Sequence, residues 1–185
     1  MSDSNGTPEA VHLDAEYGLA ENPDDHRSEL RLWLRMLTCT TLIETEIRKR
    51  LREQFDTTLP RFDMMAQLYR TEEGVLLGEL SQRMMVSNGN VTGLVERLVQ
   101  EGLIERQVSE TDRRATRVSM TPHGRAVFAE MAEAHAEWIS DFMSSVSERD
   151  QERLWSRLGG LKASVRGALS DQPAQGRKAS RRKRT

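Results

Sequence analysis

Between residues 83 and 117 the chain collects side chains that could read and hold a nucleic-acid duplex. Asn88, Asn90 and Thr92 are small, polar and uncharged, and Gly89 among them leaves the backbone uncrowded. An asparagine amide can bond adenine on two edges at once, and a threonine methyl can lie against thymine. Arg83 and Arg97 stand on either side of this group, while Arg113, Arg114 and Arg117 fall within five residues of one another, next to Asp112. Guanidinium groups at that density suit phosphate oxygens. Each feature also has an ordinary counterpart. A capped amphipathic helix has a polar first turn, and most surface arginines are merely solvated, so the elements carrying these residues must decide.

Two short stretches with helical apolar spacing, Leu77–Met84 and Asn88–Gln100, are joined by Met85, Val86 and Ser87. Ser87 is a good N-cap for the second stretch, in which Val91, Leu94, Val95 and Leu98 make one buried stripe. Gly102 stands where a left-handed C′ glycine ends a helix. Leu80 and Met84 are expected to pack on Val91 and Leu94. The pair reads as a helix-turn-helix. Residues 103–108 and Thr116–Met120 then read as two strands, with Asp112, Arg113 and Arg114 near the tip between them. A charged hairpin directly after a helix-turn-helix is placed for a minor groove or for phosphates.

Three stretches, Ser87-Asn-Gly-Asn-Val-Thr-Gly-Leu-Val, Glu101-Gly-Leu-Ile-Glu-Arg and Asp112-Arg-Arg-Ala-Thr-Arg-Val-Ser-Met-Thr-Pro-His-Gly, together resemble the MarR family of winged-helix regulators. The likeness runs over roughly residues 30–168, and the wing signature Asp-x-Arg-x-x-x-Val-x-Leu-Thr-x-x-Gly departs only at Met120, where leucine is usual. The resemblance implies a mainly α fold with a small β-wing, a winged helix-turn-helix domain joined to a helical dimerisation region. It also implies that Ser87, Asn88, Asn90 and Thr92 face a DNA operator, and that Arg114 enters the minor groove or meets its phosphates while Asp112 holds the wing tip. Arg113 and Arg117 then contact phosphates, as do Arg83 and Arg97; Arg97 could equally pair with Glu101 at i, i+4 spacing.

The rest of the chain reads as helices that support this lobe. From Ser28 to Phe55 a long helix carries Leu30, Trp33, Leu34, Leu37, Thr41, Glu44, Ile47 and Leu51 near one stripe, which Met36, Thr40 and Ile43 widen. More apolar face than one domain needs suggests a second partner, and by resemblance this helix joins the last two in a homodimer on a palindromic operator. Pro60 starts the next helix, whose buried face is Phe62, Met65, Leu68 and Tyr69, and Val75-Leu76 could add a short strand to the wing. Thr121 and Pro122 read as N-cap and first residue of a helix with the stripe Val127, Met131, Ala134, Trp138 and Phe142, ending near Ser145. Ser147 to Asp150 looks like a capping box with Asp for Glu, and Leu154, Leu158, Leu161 and Val165 form a helix-pairing seam. The division that follows is 28–58 with 121–170 for dimerisation and 59–120 for the DNA-binding lobe.

By resemblance, small aromatic carboxylates lodge between the dimer helices and the lobe. The matching positions are Trp33, Met36, Leu37, Thr40, Phe62, Met65 and Tyr69, with Arg35, Arg61 or His135 facing an anion. The first-helix stretch looks like members that govern aromatic-acid catabolism, some of which sense the acid and some its coenzyme A thioester; Arg31, Arg35 and Arg61 could meet the thioester's phosphates. Aromatic and methionine side chains at helical spacing are also simply what a core contains. Cys39 could sense peroxide, but with no second cysteine in the chain a buried, inert thiol is the favoured reading.

Composition excludes other classes. The 185 residues suit one domain of ordinary size, the single cysteine rules out an internal disulfide, and no apolar run or signal pattern points to a membrane or to export, so a cytoplasmic location is expected. No phosphate loop or metal-spaced cluster appears, no cofactor is implied, and His12, His26, His123 and His135 are scattered, which argues against an enzyme. The net charge of −2 hides an asymmetry: residues 1–26 hold seven acids and no Lys or Arg, and residues 176–185 hold six bases and no acid. The segments 1–27 and 171–185 are therefore expected to be disordered tails. A helical protein–protein module without DNA binding is the competing class, and it predicts no salt-dependent affinity for DNA.

Overall fold

A computed structural model of the chain describes residues 28–84, 88–108 and 116–170. The elements run α1 (Ser28–Phe55), α2 (Leu59–Tyr69), β1 (Val75–Leu76), α3 (Leu77–Met84), α4 (Asn88–Gln100), β2 (Ile104–Val108), β3 (Thr116–Met120), α5 (Pro122–Met143) and α6 (Glu148–Ser170). The expected fold class, helices with a small β-wing, is the fold observed. Two compact units are present, and their boundary in the sequence falls between Ile139 and Ser140. No helix among the described residues is long and apolar enough to cross a membrane.

The buried residues of α1, Ile47 and Leu51, lie near its end. Further up, Leu30, Leu32, Trp33, Leu37 and Leu42 remain exposed. The threonines that propensity alone would disfavour here are accommodated because Thr40, Thr41 and Thr45 turn their hydroxyls back onto the carbonyls of Met36, Leu37 and Thr41, at 2.7–2.8 Å. Asp56, at φ 47°, ends the helix in the left-handed region, one of the few side chains that tolerates it. Cys39 lies on this stretch and is exposed, which corrects the expectation of a buried thiol.

α2 is the hub of the first unit and touches α1, α3, α4 and β3. Its buried residues are Phe62, Met64, Met65 and Leu68. Tyr69 is 42% exposed, and Met64, which a one-sided stripe overlooks, is buried because α2 is covered on more than one side. In α3 the buried residues are Leu80 and Ser81, whereas Met84 is only half-buried.

β3 is central in a three-stranded sheet of order β1-β3-β2, with Val75 opposite Val118 and Ile104 opposite Met120. β1 lies close against β3: Gly74 has φ 76°, and a Cβ there would sit 2.5 Å from the Val118 carbonyl oxygen. Arg117 donates from Nη1 to the Gly74 carbonyl at 3.0 Å and so ties this turn to the strand.

The join between the sheet and α5 sets the phase of that helix. Thr121 caps it by accepting from the Gly124 N–H at 2.9 Å, and its hydroxyl donates to the Gly102 carbonyl at 2.7 Å. Gly124 then lies against Leu103, and the buried positions follow as Phe128, Met131 and Trp138. Met131 and Trp138 of the expected stripe are buried, Val127, Ala134 and Phe142 are half-buried, and Phe128 takes the buried place expected of Val127; the helix ends at Met143. α6, in the second unit, opens at Ser147, whose Oγ accepts from the Asp150 N–H at 3.2 Å and donates to Asp150 Oδ2 at 2.7 Å. Aspartate is one methylene short of the reciprocal box, so it returns to the hydroxyl instead. No residue of α6 is buried, and Leu154, Trp155, Leu158, Val165 and Leu169 are exposed.

A Cβ at position 124 would lie 1.9 Å from the Leu103 carbonyl oxygen, a backbone atom that cannot swing aside. Gly124→Ala is therefore expected to cost about 3 kcal/mol of stability in urea unfolding, and a cost below about 1 kcal/mol would mean that α5 can move off Leu103 without penalty.

Candidate nucleic-acid interface

α4 is divided lengthwise. Val91, Val95 and Leu98 are fully buried, Leu94 is half-buried, and the helix packs on α2, α3 and β2. The opposite side presents Gly89, Asn90, Gly93 and Arg97, all exposed, while Thr92 is half-buried at the edge. These outward residues, with Leu94 and with Pro60 from α2, line an open cleft of about 410 Å³. Two glycines one turn apart keep that surface shallow. An exposed, neutral amide at the start of such a helix can reach base edges, and an arginine two turns on can reach a phosphate.

The C-terminus of α4 is fixed by a Schellman motif. The Leu103 N–H reaches the Leu98 carbonyl and the Gly102 N–H reaches that of Val99, both at 3.0 Å, with Gly102 at φ 71°. The glycine was legible as a stop signal. β2 follows at once, so the hairpin is anchored beside the last turn of α4.

Of the residues expected to meet DNA, Asn90 and Arg97 lie on the outward side of α4, and others are engaged within the protein. Arg83 is paired with Glu79 at 2.6 Å along α3. Arg97 does not pair with Glu101, because Glu101 is taken by Arg61 of α2. Arg117 directs its guanidinium at the turn through Glu73 and Gly74. Ser87, Asp112, Arg113 and Arg114, the side chain of Asn88 and the segments 1–27 and 171–185 lie outside the described residues.

The positions expected to line an effector site separate into two groups. Phe62 and Met65 are core: the Phe62 ring lies 5.3 Å from Phe128 and 4.9 Å from His135. Trp33, Arg35, Leu37 and Thr40 are exposed on α1, with Met36 half-buried. Tyr69, half-open, packs its ring against Phe128 at a tilt of 46°, with centroids 5.0 Å apart, and carries Arg125 over its ring at 5.7 Å. Beside this cluster, partial enclosure and then Glu44 push the Asp63 carboxyl above the ordinary carboxylate range, although the residue shows surface to solvent. Burial pushes the His135 imidazole below its usual range, opposed by Asp63.

Sequence reasoning missed Arg125, which donates to the Thr71 carbonyl at 2.9 Å and to that of Tyr69 at 3.3 Å, closing the end of α2. It also missed the Arg61–Glu101 pair and exposed Arg106 on β2. Pairs separated by 40 and 54 residues leave no local signal; for Arg106, its place in a strand before a basic tip was the available clue.

A family model described as the MarR family matches residues 55–115. A MarR family transcriptional regulator from Silicibacter pomeroyi, solved by crystallography, is 31% identical and superposes with a TM-score of 0.63 over 74% of this chain and 94% of its own. The transcriptional activatory protein BadR of Rhodopseudomonas palustris is 28% identical over 163 residues, 83% of this chain and 93% of its own. The FabT protein of Streptococcus pneumoniae, solved in complex with DNA, shares the fold at 20% identity, with a TM-score of 0.64 over 76% of this chain and 99% of its own. The Silicibacter and Rhodopseudomonas relatives are transcriptional regulators and not enzymes. The sequence signature, the winged helix-turn-helix and the match along nearly all of the Silicibacter protein place this chain in the MarR family of DNA-binding transcriptional regulators.

Proposed function

We propose that the protein works as a homodimeric repressor on a palindromic operator, with one α4 in each of two major grooves and each β2–β3 hairpin beside it, and that a small effector releases it. The observation that carries this reading is the division of α4. Its apolar stripe is committed to the lobe, so its glycine-lined, amide-bearing side faces outward. The pneumococcal relative solved with DNA supports the same use of the fold.

Dimerisation is supported by what the single chain leaves uncovered. The first half of α1 exposes Leu30, Trp33 and Leu37, and α6 exposes Leu154, Trp155, Leu158 and Val165. Apolar helix faces of that length are costly in water and are normally covered by a partner. Two-fold symmetry then gives half-sites about one helical turn apart.

For the effector we propose a small aromatic acid or its coenzyme A thioester. The reading rests on the resemblance of the first helix and on the aromatic and basic side chains of α1 and α2, with Trp33, Tyr69, Arg31 and Arg35 still open to solvent. Release requires the ligand to prefer a dimer whose two α4 helices are misspaced for adjacent grooves, since equal affinity for both forms shifts nothing.

Three measurements check these points. Asn90→Ala should weaken binding to the protein's own promoter by about 1–3 kcal/mol while leaving random duplex nearly unaffected, whereas Arg97→Ala should weaken both and reduce the salt slope by about 1. Equal affinity of Asn90→Ala and wild type for the promoter would remove α4 from the groove. Leu158→Glu with Val165→Glu should halve the mass in light scattering from about twice 21.1 kDa and abolish promoter binding; an unchanged mass would exclude the α6 seam. Titrating benzoate-type acids and their thioesters into the promoter complex should release DNA for one of the two classes, and release by neither would discard the aromatic effector.

A further inference from the structure

The ion pair between Arg61 and Glu101 joins two helix ends that are each already stiff. Arg61 is in the first turn of α2, one residue past Pro60, whose ring fixes its own φ. Glu101 is the residue just past the end of α4 at Gln100, directly before the left-handed Gly102. The apolar stripe of α4 decides which side of the helix faces the lobe, but burial depends on area and restrains the tilt of the helix axis less firmly. A bond from the residue just past its end to α2 adds a directional restraint on that tilt.

This pair also differs from the other ion pairs of the described residues. Glu44–Arg48, Glu46–Arg50, Glu79–Arg83 and Asp150–Arg153 are each formed within one helix at i, i+3 or i, i+4 spacing, and such pairs contribute little. The Arg61 side chain is only 18% exposed, and its Nε is buried without any hydrogen-bond partner. A guanidinium so enclosed depends on the carboxylate it does meet, and removing that carboxylate leaves a charge that the lobe cannot solvate. The neighbouring residues lie on the outward surface: Pro60, beside Arg61, and Arg97, one turn before Glu101, both line the cleft along α4. The pair therefore closes one end of the surface that would meet DNA.

We infer that Arg61 and Glu101 are positioning residues for DNA recognition, which set the pitch of α4 against α2 so that Asn90 meets base edges, and that neither need touch DNA itself. The inference rests on α4 being the helix that enters the groove. Base contacts fail with small displacements, since a hydrogen bond weakens steeply off its axis, whereas phosphate contacts along a flexible backbone tolerate them.

The test uses full-length Glu101→Gln, Arg61→Gln and the exchanged pair Arg61→Glu with Glu101→Arg, each binding promoter and random duplex in parallel at several salt concentrations. Glu101→Gln makes the protein one charge more positive and Arg61→Gln one charge more negative, so an effect of charge alone moves their affinities in opposite directions. The expected result is that both lose roughly tenfold on the promoter, the discrimination of about one base contact, with random-duplex affinity and salt slope near wild type, and that the exchanged pair regains part of the loss. Opposite shifts in the two single variants, a parallel loss on both DNAs, or unchanged promoter affinity would each overturn the inference. Should Arg61→Gln fail to show native circular dichroism, Glu101→Gln, whose side chain is 43% exposed, and the exchanged pair carry the same decision. Wild-type protein that does not prefer its promoter would instead refute the reading of α4, and this inference with it.

Discussion

Val91, Val95 and Leu98 have no exposed surface, and burying three such side chains against α2, α3 and β2 is worth about 1.5–3 kcal/mol each. Because a helix turns 100° per residue, committing that stripe to the lobe decides where every other side chain of α4 points. Gly89, Asn90, Gly93 and Arg97 face outward for this reason, and not because the polar residues seek solvent on their own account. The surface proposed to read bases is the far side of a packing solution.

The remaining structure keeps that solution from drifting. Gly102 stops α4 in a left-handed turn whose two hydrogen bonds lead straight into β2. Thr121 fastens the other strand of the hairpin to the same turn, and Gly124 lets α5 lie directly on Leu103. The end of α4, the root of the hairpin and the start of α5 thus share one small junction, held by backbone contacts that admit no larger side chain. α5 carries its phase from there, through Phe128 and on to Trp138. A change in how α5 packs would be felt at the end of α4 through few intermediaries.

What could be read in advance was local. Pro60 at a helix start, Gly102 at a helix stop, Thr121 as a cap and the β1 pairing beside a glycine are properties of residues and their immediate neighbours, and they appear where the residue types placed them. The errors lie where distant segments choose between near-equal alternatives. Val127 and Phe128 are both apolar and one residue apart, and only the contact of Gly124 with Leu103 selects the second as the buried one. Met64 is buried because α2 is surrounded, which its own periodicity does not reveal. Glu101 had a sequence neighbour in Arg97 at helical spacing yet pairs with Arg61, 40 residues away. Of the residues proposed to meet DNA, Asn90 and Arg97 are on the outward side of α4, whereas Arg83 and Arg117 are engaged within the protein.

Methylation interference on the protein's own promoter separates the grooves chemically, since dimethyl sulfate marks guanine N7 in the major groove and adenine N3 in the minor groove. If α4 reads bases from the major groove in a symmetric pair, methylation at N7 should block binding at two clusters about ten base pairs apart, with adenine N3 interference, if any, confined to positions beside them. Interference at N3 alone, or none at either atom while the protein remains bound, would contradict the placement of α4 on which the account stands.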